Sequence, residues 1–312
     1  MDIVYQPVIQ TIEGPGSFAL DVLRLDLIDP EISGNKWFKL RYNLEEAVKR
    51  GFGHIVTFGG AHSNHLAATA AACSKYGLRC TAVVRGEVSA DLSPTLLKAR
   101  TDGMNLLFVT REMYKNKESD LFMDWLRMQC GPHWLIPEGG NNAQGIEGCA
   151  EILEPDWDYR HVFCACGTGT TFAGLVASAG EGQWIHGMSV LKGPNTLPAE
   201  VQGFLDKMYP DKKLKVLDNT DISLREQHDI NNAFALSGYA GFAKELIDFK
   251  DDFEKQYGIP LDHVYTAKLF YGVFKLMENA GKNALGSVLV IHSGGLQGNA
   301  AFERRYQLNP AR

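Results

Sequence analysis

Residues able to do chemistry fall in three short segments. Ser33-Gly34-Asn35-Lys36 leads directly into WFKLRYNLEEAVKR, a helical pattern. A lysine buried there loses solvation, so its pKa falls and its neutral amine can form an imine with a carbonyl group; a solvated lysine at a helix start is the alternative. Gly167-Thr168-Gly169-Thr170-Thr171 lies between HVFCAC and FAGLVASAG. Glycines admit close backbone approach, and the free N–H groups and dipole of a helix start attract an anion, with threonine hydroxyls adding donors. A phosphate monoester suits such a loop, while a capped tight turn is its plain structural reading. It is no Walker A loop, because no lysine follows, and Phe172 stands where a dinucleotide fingerprint has its third glycine. In Gly59-Gly60-Ala61-His62-Ser63-Asn64-His65, Ser63 or Asn64 can cap the next helix. The same hydroxyl, amide and imidazole stand where open α/β sheets bind ligands.

These segments need strands and helices that bring them to one cleft. From Phe52, the runs HIVTF, SNHLAATAAACSKYG, TAVV, SPTLLKARTDG and NLLFV alternate β-branched and helical patterns. That rhythm predicts βαβ units and a parallel sheet. Gly77 and Gly103 sit where helices end, and Ser93-Pro94 reads as an N-cap followed by proline at the first helical position. A helix around Leu121 to Cys130, a strand at HWLIP, a turn from Gly139 to Asn142 and a helix through GIEGCAEIL follow. A second series runs from HVFCAC through the glycine loop to WIHGMSVL and ends at SVLVIHSGG, with KELIDFKDDFEKQYG as a solvated helix face.

Composition narrows the class. A chain of 312 residues has room for two packed α/β units. Its 45% hydrophobic and 22% charged residues match globular usage rather than disordered or membrane chains. The net charge of -6, with no basic run longer than Lys212-Lys213, argues against a nucleic-acid partner. The N-terminal stretch has no basic and apolar leader pattern, and no segment is long and apolar enough to span a bilayer, so a cytoplasmic protein with no membrane partner is expected. Six scattered cysteines read as free buried thiols. Cys164-Ala165-Cys166 points two thiols the same way with no partner pair, so no metal is expected.

GNKWFKL, GGAHSNH, GTGTTFAG, HVYTAK and IHSGG occur in that order. Together they resemble the motifs of fold-type II pyridoxal-phosphate enzymes, specifically the D-cysteine desulfhydrase and 1-aminocyclopropane-1-carboxylate (ACC) deaminase group, over nearly the whole chain. The resemblance implies that pyridoxal 5'-phosphate is carried by Lys36 as a Schiff base, with Lys39 a supporting cation. It makes Ser63 a proton-transfer hydroxyl and Asn64 the amide that bonds the pyridine 3-oxygen. Gly167, Thr168, Gly169, Thr170 and Thr171 become the phosphate cup, and Ser293 the partner of the pyridine nitrogen. Tyr239 and Tyr265 line the substrate pocket, with Ser63, Asn64, His65 and Thr266 also on the substrate side. Thr266 stands where the ACC deaminase pattern has glutamate, and Ser293 where that pattern is apolar, so the chain resembles the desulfhydrase pattern. Phe38 in place of an arginine, His65 in place of a glutamine and a shorter region between about Val190 and Asn231 depart from the family.

The implied fold is α/β and tryptophan synthase β-like: two open, mostly parallel twisted sheets flanked by helices, with the cofactor between the lobes. Residues 1–43 and 152–312 would form a large cofactor-binding domain, and 44–151 a small open-sheet domain. The implied activity is α,β-elimination from a small amino-acid substrate, D-cysteine, to pyruvate, ammonia and sulfide, by a homodimer. Alternatives are ACC deamination, a non-catalytic pyridoxal-phosphate carrier or regulator, and a nucleotide-binding protein lacking this cofactor.

Overall fold

The structure is a computed structural model that describes residues 5–88, 91–190, 196–216, 226–238, 240–280 and 286–308. An antiparallel hairpin opens it, β1 (Ile9–Gly14) and β2 (Phe18–Arg24), turning at Pro15-Gly16-Ser17. Next come α1 (Asn35–Lys49), β3 (His54–Gly59), α2 (Asn64–Lys75), β4 (Arg79–Arg85) and α3 (Pro94–Thr101). β5 (Met104–Val109), α4 (Arg111–Lys115), α5 (Asp120–Cys130) and β6 (Trp134–Ile136) complete a parallel four-stranded sheet ordered β5-β4-β3-β6. The chain continues through α6 (Ala143–Cys149), β7 (His161–Cys166), α7 (Thr170–Ser178), β8 (Trp184–Ser189), α8 (Leu197–Met208), β9 (Lys215–Val216) and β10 (Asp229–Asn231). It closes with α9 (Lys244–Tyr257), α10 (Thr266–Ala280), β11 (Val288–His292) and α11 (Asn299–Tyr306). The second sheet has seven strands ordered β1-β2-β11-β7-β8-β10-β9, all parallel except the β1–β2 pair.

The strand sequences account for this layering. Every residue of β3 and β7 is buried, as expected of parallel strands covered by helices on both faces. The helix starts carry the chemistry read from the sequence: Ser63 Oγ accepts from Leu66 N at 3.3 Å, and Ser93 Oγ from Leu96 N at 3.1 Å. Gly77 and Gly103 take φ of 68° and 92° at the ends of α2 and α3. Helix α9 is not wholly solvated, because it buries Leu246, Lys250 and Phe253.

Close helix contacts fix the geometry of the site. A Cβ on Gly148 would stand 2.0 Å from the Phe38 carbonyl oxygen, and one on Gly174 2.4 Å from Cys149 Cβ. Backbone-level packing thus joins α1 to α6 and α6 to α7, which sets the start of α1 against the start of α7. Phe38, where the family pattern has arginine, is fully buried with its ring edge-on to Tyr5 and Trp37 at 4.9 Å. A buried aromatic there contributes about 1.5–3 kcal/mol of packing, and an unpaired arginine would cost that and more. The domain boundary expected after residue 43 falls inside α1. All six cysteines are free, and five of them are buried. Among the described residues, no helix is long and apolar enough to cross a membrane, and no cluster of His, Cys, Asp or Glu could hold a metal ion.

Candidate active site

The C-terminal ends of strands from both sheets converge on a cavity of about 450 Å³. Its lining includes Lys36, Lys39, Ser63, Asn64, Tyr265 and Ser293, together with His65 and the loop residues Gly167, Thr168, Gly169 and Thr171.

Asn35 ties three segments together at the start of α1. Its backbone N–H donates to the Ser293 carbonyl at 3.2 Å, its amide Nδ2 to Thr171 Oγ1 at 2.7 Å, and its Oδ1 accepts from Lys36 Nζ at 2.7 Å. The approach requires Gly34, at φ 69° and ψ -147°, because a Cβ there would lie 2.0 Å from the Ser293 carbonyl oxygen. Lys36 is thereby enclosed. Burial brings its pKa down to about 7 and the Lys39 cation adds to the effect, while the Asp262 carboxylate opposes it. Lys39, one turn on, is also held down by burial.

The loop after β3 supplies the next wall. Ser63 Oγ uses a lone pair to accept from Leu66 N, so its own proton stays available to the cavity. Asn64 Nδ2 donates to the Gly295 carbonyl at 3.4 Å, while its Oδ1 is buried with no hydrogen-bond partner. Thr57 Oγ1 gives its single proton to the Ile136 carbonyl at 2.8 Å, so it must accept from His65 Nε2 at 2.9 Å. His65 is therefore the Nε2-protonated tautomer with an unpartnered Nδ1, and burial with the two lysine cations pushes its pKa down to about 3.

The glycine loop begins α7. Gly169 takes φ 77°, and a Cβ there would meet Val201 Cγ2 at 2.3 Å. Thr170 Oγ1 donates to Asn141 Oδ1 at 3.0 Å and lies 3.0 Å from Thr168 Oγ1, and Thr170 does not line the cavity, whereas Thr168 and Thr171 do. Tyr265 lies against the loop, its Cε1 3.1 Å from where a Gly167 Cβ would be.

Thr266 does not reach the cavity. It is fully buried, its Oγ1 donates to Asp262 Oδ1 at 2.9 Å and accepts from Asp262 N at 2.7 Å. Asp262 caps the start of α10, its carboxylate accepting the N–H groups of Val264, Tyr265 and Thr266. Thr266 thus serves the start of α10 rather than the cavity wall. Tyr239 lies outside the described residues. Arg85 and Glu138, which the sequence reading did not single out, also line the cavity. Their signal was positional: Arg85 ends β4, and Glu138 follows β6 by two residues.

Residues 22–294 match the family described as pyridoxal-phosphate dependent enzyme. The chain is 30% identical over 307 residues to the bifunctional D-cysteine desulfhydrase/1-aminocyclopropane-1-carboxylate deaminase, mitochondrial, of Arabidopsis thaliana, covering 91% of this chain and 74% of that one. It is 25% identical to a D-cysteine desulfhydrase of Yersinia pestis, over 88% of this chain and 86% of the relative. The solved structure of an ACC deaminase homologue superposes with a TM-score of 0.79 at 24% identity, covering 98% of this chain and 95% of that one, a likeness of fold.

Proposed function

Because this chain belongs to the pyridoxal-phosphate dependent enzymes, we propose that it is a lyase that carries out α,β-elimination on a small amino acid, with D-cysteine giving pyruvate, ammonia and sulfide. Features of the cavity support seating the cofactor there: an enclosed amine on Lys36, a buried amide oxygen on Asn64 with no partner, and backbone N–H groups where the Gly167–Gly169 loop starts α7. In this reading Lys36 holds the cofactor carbonyl, Asn64 its phenolic oxygen, the loop from Gly167 to Thr171 its phosphate, and Ser293 its ring nitrogen. When bound, the cofactor supplies an electron sink for the charge left on Cα.

The chain's own groups do the rest. Lys36 Nζ, with its pKa near 7, is substantially neutral at neutral pH, so it can act first as a nucleophile and then as a proton acceptor. Ser63 Oγ keeps a proton to donate to the substrate carboxylate or to exchange with Cα. Tyr265 presents its ring and hydroxyl on the substrate side, and the neutral His65 holds the loop to β3 through Thr57.

The observation that carries the choice of elimination is the pair at the α10 and β11 ends. Ser293 lines the cavity, while Thr266 places no carboxylate there, its hydroxyl bonding to Asp262. A hydroxyl bonds a pyridine nitrogen without protonating it, which suits a substrate with an acidic α-proton and a good leaving group. ACC has no α-hydrogen and needs stronger activation. The test is pyruvate release from D-cysteine, L-cysteine, D-serine and ACC: D-cysteine should exceed ACC in kcat/KM. ACC as the preferred substrate would overturn the reading in favour of a deaminase, and binding without any turnover would favour a carrier.

The reading extends to a cytoplasmic homodimer with lobes divided near residues 43/44 and 151/152. Light scattering, cell fractionation and expression of residues 44–151 alone test those three points, and a monomer, a membrane-bound pool or a fragment that fails to fold would contradict them.

A further inference from the structure

The reaction cavity opens into a second, larger chamber of about 820 Å³, and the two share Asn64, Tyr265, Arg85 and Glu138 among their lining residues. Among the described residues, the outer chamber is lined by Arg85, Arg111, Lys115, Lys117 and Arg305 against two carboxylates, Glu138 and Asp262. Both carboxylates are engaged. Glu138 pairs with Lys117 at 3.5 Å, and Asp262 accepts the N–H groups at the start of α10. Among the described residues, Arg85, Arg111, Lys115 and Arg305 line the chamber with no acidic partner within 4.0 Å. Arg85 stands at the junction. Its guanidinium lies 3.5 Å from where a Cβ on Gly60 would be and 5.6 Å over the Tyr114 ring, which holds it beside the Ser63 loop.

A chamber of this size exceeds what the thiol of cysteine can fill, and concave like-charged walls raise the local concentration of the opposite charge. The geometry points to a substrate whose β-substituent is extended and carries an anionic group, with Arg85, Arg111 and Arg305 as its specificity-determining residues. This inference rests on the elimination reading above. In that reaction the Cβ–S or Cβ–O bond breaks with its electron pair going to the departing group, the α-proton goes to Lys36, and one water completes pyruvate and ammonia. The anion stays on the departing group, so the cations act on binding and release and leave the bond chemistry unaltered.

The test pairs S-(2-carboxyethyl)cysteine with S-propylcysteine, each enantiomer separately, on the holoenzyme. Pyruvate release gives kcat/KM, and calorimetry gives Kd independently of turnover. The carboxylate analogue should be favoured about tenfold or more at low salt, and the preference should shrink as ionic strength rises. In Arg111→Gln/Arg305→Gln, and again in Arg85→Gln, the ratio between the analogues should fall severalfold; a variant that is merely damaged lowers both analogues and leaves the ratio in place. Equal or reversed preference in the wild type would overturn the inference, and so would a preference untouched by both sets of substitutions. Selective binding without pyruvate release would sink the elimination reading and leave anion selectivity standing, while turnover of both analogues without selectivity would do the reverse.

Discussion

Gly34→Ala should uncouple activity from stability, because Gly34 sets the distance between the lysine segment and the loop after β11. At φ 69° and ψ -147° only glycine is comfortable, and an alanine forced there costs about 1–3 kcal/mol. The new Cβ would also lie 2.0 Å from the Ser293 carbonyl oxygen, where contacts under 3.0 Å are essentially never seen, so the two segments must part by about 1 Å. Separation strains the 3.2 Å bond from Asn35 N to the Ser293 carbonyl and shifts Lys36 against Ser293 and Thr171. Misplacement of that size costs about a hundredfold in a positioned reaction. The assay is kcat/KM for pyruvate release, together with a spectroscopic cofactor titration and a thermal melt. The expected result is a folded protein with Tm lowered by a few degrees, activity down about a hundredfold and cofactor held more weakly. A Gly34→Ala enzyme with wild-type kcat/KM and cofactor affinity would refute the coupling of these segments.

Other consequences follow from the same geometry. Lys39→Gln removes a cation that helps hold the Lys36 pKa near 7, so cofactor attachment to apo-protein, rising with pH through about 7 in the wild type, should shift to higher pH; an unmoved profile contradicts the coupling. Gly169→Val should weaken cofactor binding at least tenfold while circular dichroism stays native, because its Cβ would meet Val201 at 2.3 Å and move the loop; unchanged affinity would place the phosphate elsewhere. His161 is pushed down to about 4, by burial first and then by His186 and Arg160. The unfolded chain, titrating near 6.5, therefore takes up a proton that the folded state refuses, and stability should fall as pH drops from about 6.5 towards 4. Melts of wild type and His161→Gln should show a shallower acid decline in the variant, and parallel curves would contradict this.

Local signals in the sequence carried most of the four-stranded sheet. The alternation from His54 to Ile136, the Ser93 cap and the terminal glycines each depend on neighbours a few residues away, and each is realised in β3 through β6. The β1–β2 hairpin was not legible in this way, because its place beside β11 depends on pairing across most of the chain. Within the site, the glycine loop and the Lys36 segment could be read from residue type. That Asn35 joins both to Ser293 could not, since those contacts span up to 258 positions. Thr266 is the instructive difference. Asp262 four residues earlier is an ordinary helix cap, a signal present in the sequence, and it takes the threonine hydroxyl away from the cavity. Arg85 and Glu138 are marked only by their places at the ends of β4 and β6, and only the sheet order turns those two ends into one wall.

The central claim is that Lys36 is the cofactor's covalent anchor, and borohydride reduction of the holoenzyme followed by peptide mapping tests it most directly. The account predicts the reduced cofactor's mass on the peptide that contains Lys36, placed on that residue by fragmentation, and its loss in Lys36→Ala. The mass on Lys39, on another lysine or on none would contradict it.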